Sequence, residues 1–388
     1  MTMRSSGVQP ATSTRQRHVQ RATSTRQTQW RGVLRNASQP NQQVLVKRAV
    51  AIAAVVIVVV LPAVIGASNV SLVVGVLILG VAGLSMTLLT GLAGQISLGG
   101  SAFLALGALC GVVGSHLGNW GVVLAILLAA ALGAVVGALV GLPSLRLKGI
   151  YLIIATLALF YIVVYIFTLI EQDTGHPSGF VIPPLQVGST LVSNNDWYYI
   201  FAVLFGAVAW FVQRVKVSAP GRAMRAMMHD ELVAASLGVN IRAFKIIAFI
   251  QSSVILAVVG ALQAYYLESV DVNTYTLTLA IELVAIVVIG GADLWAGALA
   301  GAAVFGLLPT LLESIIGDVS SGANLTVLPY EVAPLIYGAL LTAVLVLQPR
   351  GLVGLFDKWA STVRRKAAVG GSDPRRRADA SAIRDERP

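Results

Sequence analysis

The residue types that ordinarily do chemistry are sparse in this chain and badly placed for it. His18, His116, His176 and His229 are scattered, with no pair at i, i+4 that could hold a metal on one helix face. Cys110 is the only cysteine and sits in an apolar run, so a disulfide framework and a thiolate metal site are both excluded. No G-x-x-x-x-G-K-[ST] loop is present, so ATP hydrolysis by that machinery would have to come from another chain. No cluster of His and acids supports a membrane-embedded enzyme. What stands out is Glu282, an acid within the run LTLAIELVAIVVIGGADLWAG (277–297). An ionised carboxylate at membrane depth costs about 2.5–3.5 kcal/mol on insertion scales. Glu282 could line a path, relay protons as an ion site, cap backbone amides, or pack protonated among its neighbours. Asp293 falls beside the Gly pair, close to a membrane face.

Two glycine-rich interruptions accompany it. Residues 91–100 read GLAGQISLGG, bringing Gly94, Gln95, Ser97 and Gly99 into an otherwise apolar stretch, and α-helical pattern stops again at Gly290-Gly291. Irregular backbone inside a bilayer survives only where protein or a water-filled cavity surrounds it, and paired Gly interruptions in the two halves of a transporter point to the substrate path. Close helix packing through small residues is the competing explanation.

The third feature is the polar loop 214–245, RVKVSAPGRAMRAMMHDELVAASLGVNIRAFK. Pro220-Gly221 breaks the chain. Asp230 and Glu231 suit a helix N-terminus, Leu232 to Leu237 are helix formers, and Gly238 fits a C-cap. A helix of about two turns is predicted, with Ala234 and Ala235 small enough to enter a groove on another protein. A merely solvated loop helix is the alternative.

The elements that must carry these residues are membrane helices. Charged residues make up 11% of 388 and apolar residues 56%. All 27 Lys and Arg fall in four blocks, at 4–48, 146–148, 214–245 and 350–387, and the first acid is Glu171. Such blocks mark cytoplasmic loops, the segments hardest to translocate. The net charge of +10 therefore reads as attraction to anionic headgroups, not nucleic acid. Arg146 and Lys148 read as snorkelling anchors. Apolar segments at about 49–67, 70–92, 98–118, 120–142, 149–169, 198–213, 246–267, 277–290, 295–316 and 333–349 predict an all-α, polytopic bundle of about ten spans with both termini cytoplasmic. The loops then placed outside, 170–197, 268–276 and 317–332, hold no Lys or Arg. Residues 1–48, with ATSTRQ at 11–16 and 22–27, and residues 356–388 read as disordered basic cytoplasmic tails flanking a permease domain at 49–355.

Five motifs in order, GLAGQISLGGSAFLALGAL (91–109), LPSLRLKGIYLIIATLAL (142–159), GRAMRAMMHDELVAASLGVNIRAFKIIAF (221–249), IVVIGGADLWAGALAGAA (286–303) and IYGALLTAVLVLQPRGLVGL (336–355), resemble bacterial branched-chain amino-acid ABC transporter permeases, the M-type (LivM-like) subunit above all. The resemblance covers roughly residues 50–355. It implies a type II-like importer fold in the bacterial inner membrane and a second permease chain of the H-type (LivH-like). It also implies two ATPase subunits that bind the ATP and an external substrate-binding protein, with no cofactor on this chain. Branched-chain or other hydrophobic amino acids are the substrates it implies, with urea or amides carried by related permeases. Gly94, Gln95, Ser97, Gly99 and Phe103 match the family's Gly-rich segment. Gly221, Glu231, Ala234, Ala235 and Gly238 match the loop that couples to the ATPases. Gly290, Gly291, Trp295 and Gly297 match the second Gly motif, and Thr174, Gly175 and Gly179 resemble a short external loop. Gly100, Met228-His229 and Asp293 depart from the family pattern, which bears on substrate more than on transport. A secondary transporter drawing on an ion gradient through Glu282 is the alternative from another class.

Overall fold

Alanine-, leucine- and glycine-rich runs of this length have one stable solution out of water, the α-helix, because it satisfies every backbone group within the segment. In chain order the helices are α1 (Ala67–Met86), α2 (Gly100–Ser115), α3 (Gly121–Ser144), α4 (Ile150–Asp173), α5 (Asn194–Val217), α6 (Ala219–His229), α7 (Glu231–Ser236), α8 (Ile241–Leu267), α9 (Leu277–Gly290) and α10 (Trp295–Ala323). A π-helical turn, Thr87–Leu92, extends α1. Among the described residues four two-residue strands, β1 (Phe180–Val181), β2 (Gln186–Val187), β3 (Thr190–Leu191) and β4 (Ser269–Val270), pair antiparallel as β1–β4 and β2–β3. This computed structural model describes residues 66–323 apart from 117–120, 148, 177, 188–189 and 292–294, together with Pro62 and Gly338. Both basic tails, the bulk of the apolar segments expected at 49–67 and 333–349, Lys148, Asp293 and the side chain of Trp295 lie outside the described residues.

Eight of the ten expected apolar segments coincide with α1–α5 and α8–α10. Among the described residues six stretches are long and apolar enough to cross a membrane, and Gly100–Ser115 and Ala296–Leu311 are shorter apolar helices. The chain is a polytopic helical membrane protein. The expected span at 98–118 is trimmed to the 16 residues of α2, about 24 Å at 1.5 Å per residue. Its shortness has a local cause. Leu98 N donates to Thr156 Oγ1 on α4 at 3.0 Å and Gly99 N to Ser97 Oγ at 3.2 Å, so the segment before Gly100 turns instead of coiling.

α8 is the axis of the bundle. α3 turns toward it a stripe of Gly121, Ala125, Ala129, Gly133, Gly137 and Gly141, every fourth residue and all buried. The spacing keeps one face narrow, so backbones meet: Ser253 Oγ on α8 donates to the Gly133 carbonyl at 2.7 Å. On the other side Gly260 of α8 lies against the Leu104 backbone of α2, and Gly107 of α2 against the Ala257 backbone. The far face of α3 carries Leu127, Val135 and Leu139, all exposed, as a helix facing lipid does.

Two of the loops expected on one side, 170–197 and 268–276, meet in space. At one end Glu171 Oε1 accepts from Val272 N at 3.0 Å, β1 pairs with β4, and Phe167 and Tyr275 rings lie 6.2 Å apart. At the other the turn around Gly94 touches Met228. That basic end differs from expectation in one respect. Residues 214–230 are not loop: α5 runs to Val217, the chain is extended at Ser218, and α6 follows. Pro220 does interrupt α5, but at the first turn of a helix its missing N–H costs nothing, so it also starts the next one.

Candidate functional site

The loop between α5 and α8 is built as two short helices with stiff joints. Gly221 lies against the Val215 backbone, where a side chain has no room, so α6 folds back closely on α5. Arg222 Nη1 donates to the Val217 carbonyl at 2.8 Å and Arg225 Nη2 to the Lys216 carbonyl at 2.9 Å. Two of the block's basic residues thereby cap the C-terminus of α5, in the sense its dipole favours.

Asp230, extended at φ −156°, is the N-cap of α7; its Oδ1 accepts from Leu232 N at 2.8 Å and Val233 N at 3.2 Å. At the other end Gly238 takes φ +83°, a left-handed conformation that suits glycine. The N–H groups of Gly238 and Val239 return to the carbonyls of Ala235 and Ala234 at 3.0 and 3.1 Å, closing a Schellman-type stop. Asn240 Oδ1 then accepts from Ala243 N at 3.2 Å and caps α8. α7 is thus a six-residue peg, terminated on both sides by side chains and turns legible in the sequence.

Its faces are not as expected. Ala234 is 1% exposed and packs against its own chain, so it is not the small residue offered to a partner groove; Ala235 does face outward. The outward surface is instead carried by Leu232, 83% exposed, Leu237, 76% exposed, and Val233. Glu231 points back toward the bundle, its Oε1 2.7 Å from Lys245 Nζ on α8. Lys245, in sequence one more member of the basic block 214–245, is 4% exposed. The signal that could have found it is its place beside Phe244 at the start of an apolar run, 14 residues after an acid.

The Gly-rich turn meets this pair. Gly94 adopts φ +67°, and a Cβ there would stand 2.9 Å from Met228 Cγ on α6. A cavity of about 110 Å³ lies between the turn, the start of α4, α7 and α8; Gly94, Gln95, Gly149, Glu231 and Lys245 are among its lining residues. Gln95 is 5% exposed, and among the described residues its side-chain amide has no hydrogen-bond partner.

The remaining candidates are not gathered there. Ser97 and Gly99 form the turn that precedes α2. Glu282 is half-buried on α9, one residue from Leu283, whose side chain reaches Gly100. Gly290 lies against the backbone of Gly297, and Gly291 ends α9 at φ +94°. Gly290 and Gly297 therefore let the end of α9 and the start of α10 approach at backbone distance. Gly175 and Gly179 take φ +73° and +89° at the opposite end, where Gly179 lies under the Val270 carbonyl. Among the described residues no group of three His, Cys, Asp or Glu side chains could hold a metal ion.

The family described as "Branched-chain amino acid transport system / permease component" matches residues 68–345, from α1 to beyond α10. The chain belongs to that family. It is 26% identical over 296 residues to the high-affinity branched-chain amino acid transport system permease protein LivM of Escherichia coli (strain K12), covering 70% of this chain and 66% of the relative. The Salmonella typhimurium LivM protein gives the same identity and coverage. A probable branched-chain amino acid transport permease protein LivM of Methanocaldococcus jannaschii is 27% identical over 237 residues, 60% of this chain and 68% of that one. The chain thus spans about two thirds, and in the first two cases slightly less, of the length of these relatives. No solved structure matches.

Proposed function

We propose that this chain is a membrane-spanning permease subunit of an ABC importer in the bacterial inner membrane. Its substrate is a branched-chain or other hydrophobic amino acid delivered by an external binding protein, and related amides are the alternative cargo. A second permease chain completes the path, in a type II-like arrangement, and two ATPase subunits supply the energy. The observation that carries the reading is α7, a doubly capped peg at the basic, cytoplasmic end. It presents Leu232 and Leu237 to solvent while anchoring Glu231 inward. A monomer gains nothing from two exposed leucines on a six-residue helix; a partner groove does, at about 1.5–3 kcal/mol for each leucine buried. The substrate class in this reading is supported by the LivM relatives, which are named for branched-chain amino acid transport.

In this mechanism the chain hydrolyses nothing. ATP shifts the complex only because it binds one arrangement of the partner subunits better than the other, and α7 carries that preference into the bundle. Purification in mild detergent tests the proposal: two P-loop ATPases and a second permease are expected to copurify. Uptake by reconstituted complex is expected to require ATP and to survive collapse of the ion gradients. Uptake that follows the gradient and needs no ATPase would refute the proposal in favour of an ion-coupled transporter working through Glu282.

A further inference from the structure

The link between α7 and the transmembrane bundle is more specific than a shared loop. α7 hangs between two joints, the extended Asp230 (φ −156°, ψ 114°) and the left-handed Gly238. Covalent connection alone would let it swivel on these joints when pulled. What ties it to the membrane helices is Glu231 Oε1 against Lys245 Nζ at 2.7 Å, with the Ala234 face buried beside it. Lys245 stands five residues into α8, near the positive end of that helix dipole, and is almost wholly buried. Such an ammonium is tolerated only with a counter-charge.

We propose that Lys245 is the positioning residue through which movement of α7 drives the bundle, its ion pair with Glu231 transmitting displacement to α8 and from α8 to α2 and α3. This rests on the importer reading above. The route beyond Lys245 has little slack. Gly260 meets the Leu104 backbone of α2, and Ser253 is hydrogen-bonded to the Gly133 carbonyl of α3, so α8 cannot shift without carrying both.

The test compares Lys245→Met, which keeps an unbranched apolar stem and removes the charge, with Lys245→Arg, which keeps the charge. Both are measured in the reconstituted complex as substrate imported per ATP hydrolysed, a ratio that a merely assembly-deficient variant would not change. Lys245→Met is expected to keep its ATPase partners and to lose about ten-fold or more in that ratio. Lys245→Arg is expected to stay close to wild type. A wild-type ratio for Lys245→Met, or equal loss in both variants, would overturn the proposal. Should Lys245→Met fail to accumulate in the membrane, the exchanged pair E231K/K245E carries the test. It is expected to accumulate and to recover the ratio to within about five-fold; accumulation without recovery overturns the proposal. A wild-type chain that copurifies with no ATPase would remove the importer reading itself, an outcome distinct from either of these.

Discussion

Truncating the outward face of α7 separates binding from folding. Leu232 and Leu237 are 83% and 76% exposed, so replacing both by alanine removes almost no packing from this chain. In a complex each leucine contributes about 1.5–3 kcal/mol when fully covered. Truncation to alanine, with most of each side chain available to a partner, forfeits about 1.5 kcal/mol per site. The double variant L232A/L237A loses about 3 kcal/mol, or about 100-fold in affinity for the ATPase subunits. The assay is retention of ATPase subunits on the immobilised, detergent-solubilised chain across a concentration series, read beside the thermal stability of the isolated chain. Retention is expected to fall by that factor while the melting temperature stays put. Undiminished retention would refute the assignment of α7 as the docking surface. A drop in melting temperature matching the loss of retention would show instead that the two leucines pack within the bundle.

Three further outcomes follow from the geometry. Gly94→Ala places a side chain at φ +67° and 2.9 Å from Met228 Cγ; it is expected to cost about 1–2 kcal/mol of stability, read as a lower melting temperature in detergent. Gly290→Ala drives a methyl into the Gly297 backbone and is expected to cost about 3 kcal/mol or more, seen as loss of monodisperse protein; a variant that folds normally but fails to transport would return Gly290 to the substrate path. Asp230→Ala removes the acceptor for Leu232 and Val233 N–H and is expected to fray α7 by about 1 kcal/mol, measured as faster amide exchange at those two residues with α8 unaffected.

Length and charge made the membrane helices readable, because an apolar run of twenty residues has few alternatives and Lys and Arg avoid translocation. The ends of α7 were equally plain, since Asp230 and Gly238 each do a local backbone job that no distant residue alters. The facing of α7 was not. A six-residue helix is too short for a periodic pattern to phase it, so Ala234 and Ala235 look alike in sequence while one is buried and the other open. Lys245 was hidden for a similar reason: its partner lies across a turn whose direction only the fold decides. α6 was missed because proline signals both a helix end and a helix start, and Arg222 and Arg225 decide the matter through bonds to α5 carbonyls. At Gly290 composition could not separate close packing from a lined path; contact with the Gly297 backbone adds the packing, and only the transport assay of Gly290→Ala speaks to the path.

The claim that most depends on orientation is that α7 faces the cytosol and β1 the exterior. Single cysteines at Leu237 and Val181, both exposed, measure it directly with a membrane-impermeant maleimide, because the native Cys110 is buried and contributes little background. Position 181 is expected to label in intact cells, and position 237 only in inside-out vesicles, with labelling at 237 suppressed when the ATPase subunits are present. Labelling of position 237 from outside intact cells would contradict the account.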